Sequence, residues 1–193
     1  NGTLDEKSEV HPHSTYGAAK AAVDYYCQCA WKERKTPVIC LRQFNVCGER
    51  DVLHPYILVE VYKQLRNQIR FGNRETVTLH LGNNSVRDFQ HVFDTVRIAT
   101  ELLENGKFGN VYNSGSGESI KIYDLAKLAG KIMGFTEVTV EIDQAKVRPW
   151  EIWYLRADCT KLFSTIDYRP ETSLPEAVAK TLNWLRDNDH LLP

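Results

Sequence analysis

His11-Pro12-His13-Ser14-Thr15-Tyr16-Gly17-Ala18-Ala19-Lys20 decides how this chain is read, because it sets a tyrosine and a lysine four residues apart where a helix begins. Positions i and i+4 share one helix face. A lysine ammonium beside a phenol stabilises the phenolate, which makes Tyr16 a candidate for exchanging a proton with a substrate hydroxyl or carbonyl near neutral pH. The small residues between them, Gly17, Ala18 and Ala19, would let a flat cofactor or a sugar approach closely. The same spacing also occurs in helices as an ordinary surface pair, so the surroundings have to decide.

Composition narrows the classes. With 193 residues, 42% hydrophobic and 25% charged, the chain suffices for one domain, or one and a fraction, with a real core. A balance of 24 Lys+Arg against 25 Asp+Glu, net charge -1, argues against general affinity for nucleic acid. No apolar run approaches membrane-spanning length and no charged-then-apolar leader opens the chain, so the expectation is a cytoplasmic protein without a membrane partner. The cysteines, Cys27, Cys29, Cys40, Cys47 and Cys159, are odd in number and contain no C-x-x-C, so neither a disulfide framework nor a metal site is expected. They read as reduced, mostly buried small hydrophobes.

Periodicity gives an alternation of helices and strands, hence an α/β chain. A helix is expected over 15–35, with Ala18, Ala22, Tyr25, Tyr26, Cys29 and Ala30 as its apolar positions. A buried parallel strand over 37–41 would deliver Phe44 and Asn45 to its carboxyl end, where ligands bind in open α/β sheets. Ile57, Leu58, Val61, Leu65 and Ile69 mark an amphipathic helix over about 54–73. His54-Pro55-Tyr56 before it could face a sugar or simply turn the chain. A strand over 76–81 and a helix over about 93–105, with Val96, Ile98, Leu102 and Leu103 inward, come next. A strand at 111–113, a helix from near Tyr123 to Met133, a strand at 138–142 and a closing helix reaching about Asn188 complete the order.

Four further stretches stand in order after the first: Leu41-Arg42-Gln43-Phe44-Asn45-Val46-Cys47-Gly48, Val86-Arg87-Asp88-Phe89, Val111-Tyr112-Asn113-Ser114-Gly115-Ser116-Gly117 and Arg148-Pro149-Trp150-Glu151. Together with Pro12-His13-Ser14-Thr15-Tyr16-Gly17-Ala18-Ala19-Lys20, whose usual form is P-x-S-x-Y-x-x-S/A-K, they make nearly the whole chain resemble the extended short-chain dehydrogenase/reductase family of nucleotide-sugar epimerases and dehydratases. The resemblance implies a fold: the C-terminal remnant of a Rossmann-type parallel sheet plus a smaller α/β substrate-binding lobe. It assigns 1–46 to the cofactor domain and 47–193 mainly to the substrate lobe, with 86–105 as the stretch that could return to the cofactor domain.

Residue roles are implied in the same way. Tyr16 and Lys20 would be catalytic and hold the ribose of NAD or NADP, and Gln43 and Phe44 would lie near the nicotinamide. Asn45 would bind the substrate, and Arg87 and Arg148 its diphosphate, since a planar guanidinium binds two phosphate oxygens at once. Plainer readings stand beside these. Asn45 could close a turn, Arg87 could pair with a carboxylate, and Asp88 reads as structural. Ser114 to Glu118 is tempting as a phosphate cradle, but the family uses it as a connection. Trp150 and Trp153 could stack on a base, but packing of the lobe is preferred. Cys47, and the lack of proline after Gly48, depart from the commoner N-V-Y-G-P wording.

No G-x-x-G-x-x-G or G-x-G-x-x-G is present, and the family's catalytic Ser/Thr would fall before residue 1. The expectation is therefore the C-terminal part of a larger enzyme, an NAD(P)-dependent nucleotide-sugar epimerase or 4,6-dehydratase. There Tyr16 would act as base toward the sugar 4-hydroxyl and a 4-keto sugar would follow. The wording of Arg148 to Glu151 and of Leu81 to Phe89 looks closest to the GDP-mannose dehydratase and related reductase branch. The alternative is a truncated, non-catalytic homologue that binds nucleotide sugars or a partner chain. The first helix lines a dimer interface in the family, so a homodimer is expected.

Overall fold

The computed structural model describes residues 2–51 and 56–192, so the expected role of His54 and Pro55 lies outside the described residues. After β1 (Gly2–Leu4), Ser14 starts the long helix α1 (Thr15–Arg34): its backbone is extended and its Oγ accepts the Gly17 amide at 3.0 Å. A serine here satisfies one of the four amides that a helix start leaves unbonded. Lys35 ends α1 in the left-handed region at φ 55°, and its amide reaches the Ala30 and Trp31 carbonyls. The Trp31 ring lies against Gly109, where a Cβ would come within 2.0 Å of the indole. Only glycine permits that approach.

Two short strands follow, β2 (Cys40–Gln43) and β3 (Asn45–Cys47). The expected strand at 37–41 enters its ladder late: the Val38 carbonyl is taken by the Gly109 amide, and pairing begins only at Cys40. Then come α2 (Ile57–Arg70), β4 (Thr76–Leu81), β5 (Val86–Arg87), β6 (Phe89–His91) and α3 (Val92–Asn105). The rest is β7 (Val111–Ser114), β8 (Ile120–Lys121), α4 (Ile122–Ile132), β9 (Glu137–Ile142), β10 (Tyr154–Ala157), α5 (Thr160–Phe163) and α6 (Leu174–Asp187).

Parallel pairing dominates. The ladders β2 with β7, β3 with β6 and β4 with β9 are parallel, while a small sheet runs β1-β10-β5-β8 with only the β5–β8 pair antiparallel. The mixed α/β class with parallel sheets is as the resemblance implies.

Two apolar clusters hold these elements. In the larger one, α2 and α4 lie on the β4–β9 ladder and α6 packs against both helices, and Leu65, Leu79, Leu125, Leu182 and Leu185 have no exposed surface. Each such leucine contributes about 2 kcal/mol through burial. The smaller gathers Ile98 and Leu102 of α3 with Tyr112, Ala157, Leu162 and Ile166, and Leu41 and Phe44 pack against it. At the rim of the larger cluster, Gln64 of α2 accepts the His80 amide at 2.8 Å and donates to the His80 carbonyl at 3.0 Å.

Two helices differ from expectation. On α3, Val96 and Leu103 are exposed, and the buried face is Asp94, Thr95, Ile98 and Leu102. Polar groups occupy that face because their partners are inside: Asp94 accepts the Tyr168 hydroxyl at 2.5 Å and the Glu171 and Thr172 amides, and Thr95 donates to Gln90. On α1 no residue is buried, and Val23, Tyr25 and Tyr26 are exposed, because among the described elements its main support is β2. Among the described residues no helix is long and apolar enough to cross a membrane, and no cluster of three or more His, Cys, Asp or Glu is placed to hold a metal ion.

Burial raises the Asp94 carboxyl, but its three donors outweigh burial and hold it below the ordinary carboxylate value. A depressed folded-state value gives stability that is present above the unfolded value, about pH 4, and is lost as pH falls through the folded one. Urea midpoints of the chain between about pH 2 and pH 6 should show a steeper acid loss for the native protein than for Asp94→Asn.

Candidate active site

The capped start of α1 places Tyr16 and Lys20 together, with the Lys20 Nζ 5.7 Å from the centre of the Tyr16 ring. Tyr16 is 72% exposed, so its hydroxyl is open to an incoming molecule. The helix is fastened to the neighbouring strand by Arg42, whose Nε donates to Asp24 Oδ2 at 2.7 Å and whose Nη1 donates to the Glu6 carbonyl at 3.0 Å. Both partners are largely shielded, which makes this clamp stiffer than a solvent-washed pair.

The chain runs on from β2 to β3 and carries the next candidates. Gln43 is exposed at the end of β2, and Phe44 is half-buried against the smaller apolar cluster. Asn45 opens β3, and its Nδ2 donates to the Asp88 carbonyl at 2.9 Å. Part of its amide is therefore spent on the segment beside it, and it sits in a strand rather than closing a turn.

Asp88 explains the glycine loop. It has no exposed surface, and its carboxylate accepts the Ser116 amide at 2.8 Å, the Ser116 hydroxyl at 2.7 Å, and the Gly117 and Ala157 amides at 3.1 Å each. A Cβ on Gly115 would lie 2.7 Å from Asp88 Oδ2. The loop after β7 thus has the amides of an anion cradle, and the chain's own carboxylate fills it. The connecting role fits, and a phosphate role does not.

Arg87 lies beside Glu151, with Nη2 2.6 Å from Oε1 and both side chains shielded. Burial pulls the guanidinium below its ordinary range, Glu151 pulls it back, and the positive charge of Arg148 adds to the depression. The two arginines therefore feel one another. Arg148 itself is exposed. Glu151 was visible in the sequence as part of a motif but carried no role, and the carboxylate three residues after an arginine was the feature that could have given it one.

The tryptophans do not pack the lobe. Trp150 is 73% exposed and Trp153 59%, and the Trp150 ring stacks on His13 with centroids 6.3 Å apart and planes 15° from parallel. Both indoles are largely exposed rather than packed inside the lobe, and the Trp153 carbonyl accepts the Val86 amide at 2.8 Å. The stack joins two regions far apart in sequence. His13 stands three residues before Tyr16, and Trp150 two after Arg148.

Known proteins are similar to this chain in sequence and in fold. A family profile described as GDP-mannose 4,6 dehydratase matches residues 1–181. The human dTDP-D-glucose 4,6-dehydratase is 27% identical over 191 residues, covering 97% of this chain and 52% of that protein. The chain thus spans about half the length of that curated relative. Among solved structures, RMD from Pseudomonas aeruginosa complexed with NADPH superposes with a TM-score of 0.82 at 22% identity, over 95% of this chain and 60% of that one. The UDP-glucuronic acid 4-epimerase from Bacillus cereus in complex with NAD gives 0.78 at 25% identity, over 96% and 55%.

Removing the Asp88 carboxylate strands donors on two segments, the loop after β7 and the end of β10. Asp88→Ala should lower the unfolding free energy by about 3 kcal/mol in urea titration.

Proposed function

We propose a function from one premise: the chain belongs to the GDP-mannose 4,6 dehydratase family, among the nucleotide-sugar epimerases and dehydratases of the extended short-chain dehydrogenase/reductase type. In this reading it forms the active-site helix and substrate lobe of an NAD(P)-dependent nucleotide-sugar 4,6-dehydratase or epimerase that works through a 4-keto sugar. One observation carries the reading. The His13–Trp150 stack brings the segment holding Arg148 and Glu151 next to the start of the helix holding Tyr16 and Lys20, so a proton-transfer pair and two guanidinium groups serve one region.

The chemistry assigned to these residues follows from their types. Arg87 and Arg148 hold the diphosphate and so fix the sugar, a positioning effect that pre-empts the entropy of bringing reactants together. Tyr16 takes the proton of the sugar 4-hydroxyl, with the Lys20 ammonium placed beside its ring. Asn45 and Gln43 offer amide groups to the sugar and cofactor, and Phe44 offers an apolar edge. The dinucleotide, when bound, supplies the hydride acceptor.

Tyr16 and Lys20 are exposed donors at an open helix start, which suits the ribose end of that cofactor. A glycine-rich segment for its pyrophosphate is not among the 193 residues, so turnover is assigned to a protein that also carries one. The proposed division gives 1–46 and the returning 86–105 to the cofactor side and most of 47–193 to the substrate lobe, with the smaller apolar cluster drawing Ile98 and Leu102 from the former and Tyr112, Ala157, Leu162 and Ile166 from the latter. All five cysteines are free thiols, in keeping with a place in the cytoplasm.

A second reading has the chain bind a nucleotide sugar or a partner chain without turning anything over. Association through α1 belongs to both readings, since Val23, Tyr25 and Tyr26 are exposed along it.

Titration calorimetry of the chain with GDP- and UDP-sugars, and with NAD(H) and NADP(H), tests the assignment. Nucleotide-sugar affinity should fall on the order of tenfold or more in Arg148→Ala. Equal affinity of the variant, or no binding by a folded native sample, would overturn it. Light scattering should give the mass of a dimer, and Tyr26→Asp should shift it to the monomer.

A further inference from the structure

Glu151 is one of the most fully bonded carboxylates near the site. Its Oε1 accepts Arg87 Nη2 at 2.6 Å and the Ile152 amide at 3.0 Å, and its Oε2 accepts Asn83 Nδ2 at 2.5 Å. The pair is nearly dry, with Arg87 14% and Glu151 10% exposed. Arg87 Nη1 also donates to the Val86 carbonyl at 2.9 Å, which among the described residues leaves three of its five N–H groups for a ligand.

Two neighbouring guanidinium groups repel, and a shielded one without a counter-charge is costly. A diphosphate would remove that cost, and the protein has to fold before any diphosphate arrives. We infer that Glu151 is the resident counter-ion of the diphosphate site: it holds and neutralises Arg87 in the ligand-free protein and competes with incoming phosphate for the same guanidinium. This rests on the reading of Arg87 and Arg148 as the diphosphate-binding pair.

Glu151 is then a positioning residue with a selective effect. A ligand must carry enough negative charge to win against a carboxylate that is already in place. Pyrophosphate does so through two phosphates facing two arginines, whereas a single phosphate gains less and pays the same repulsion from Glu151. The residue thus sets a charge threshold that favours diphosphate esters over monophosphates.

Glutamine at this position retains the shape and an acceptor oxygen for Arg87 but lacks the charge, so two measurable quantities should move in opposite directions. Calorimetry of the full 193-residue chain with inorganic pyrophosphate at low salt should show Glu151→Gln binding on the order of tenfold tighter than the native protein. Without ligand the variant should melt at a lower temperature. Its preference for pyrophosphate over inorganic phosphate should narrow, and Arg87→Ala added to it should abolish the gain.

A glutamate that is merely structural would lose stability and affinity together. Weaker or equal binding by a folded Glu151→Gln, with the native protein binding normally, overturns the counter-ion role and leaves the arginine reading standing. Absence of pyrophosphate binding by both folded proteins overturns both. Should Glu151→Gln fail to fold, Glu151→Asp retains the charge with a shorter reach and a looser grip on Arg87. It should then bind pyrophosphate more tightly than the native protein, and unchanged or weaker binding overturns the role.

Discussion

A carboxylate cut off from water persists in a folded protein only where enough donors converge on it, and Asp88 meets four. Those donors come from the loop after β7 and from the end of β10, so this one side chain fixes where three segments cross. Its neighbours then have no choice of direction. Successive residues of an extended chain point to opposite sides, so with Asp88 turned into the loop, Arg87 and Phe89 are turned away from it. Phe89 enters the larger apolar cluster and Arg87 meets Glu151. The Asp88 carbonyl takes the Asn45 amide, which extends the same constraint to β3. A glycine at 115 is required because any larger residue would press on the carboxylate that organises the crossing.

Local features were readable from the sequence and pairings across it were not. The helix beginning at Thr15 and the alternation over Thr76–Leu81 that marks β4 were both legible, because both depend on residues a few positions apart. The inward face of α3 was misread for the opposite reason. Val96 and Leu103 are apolar, but Asp94 was ranked by its own polarity, and its burial is decided by Tyr168 and Thr172 more than seventy residues on. The R-P-x-E wording pointed to Arg148, while the Arg87–Glu151 pair became visible only when β5 was set beside the segment that leads into β10. The side-chain exposure of Trp150 was likewise hidden, since indoles are usually interior.

The candidate site is built from unlike materials. Tyr16 and Lys20 sit on an exposed helix steadied from beneath by Arg42, so the reactive groups remain accessible while the backbone under them is pinned. The side proposed to bind the diphosphate is the reverse, with Arg87 shielded and its charge already answered. Openness suits a group that must exchange protons, and enclosure suits one whose task is to hold charge in place.

Gln64 has a consequence beyond the fold it helps to close. By giving its amide to both backbone groups of His80, it occupies the hydrogen-bonding position that another strand would take beside β4. Lys146 adds a positive charge at the same carbonyl. A two-stranded parallel ladder with open sides would otherwise template further chains, and here one glutamine and one lysine act as a stop against edge-to-edge aggregation.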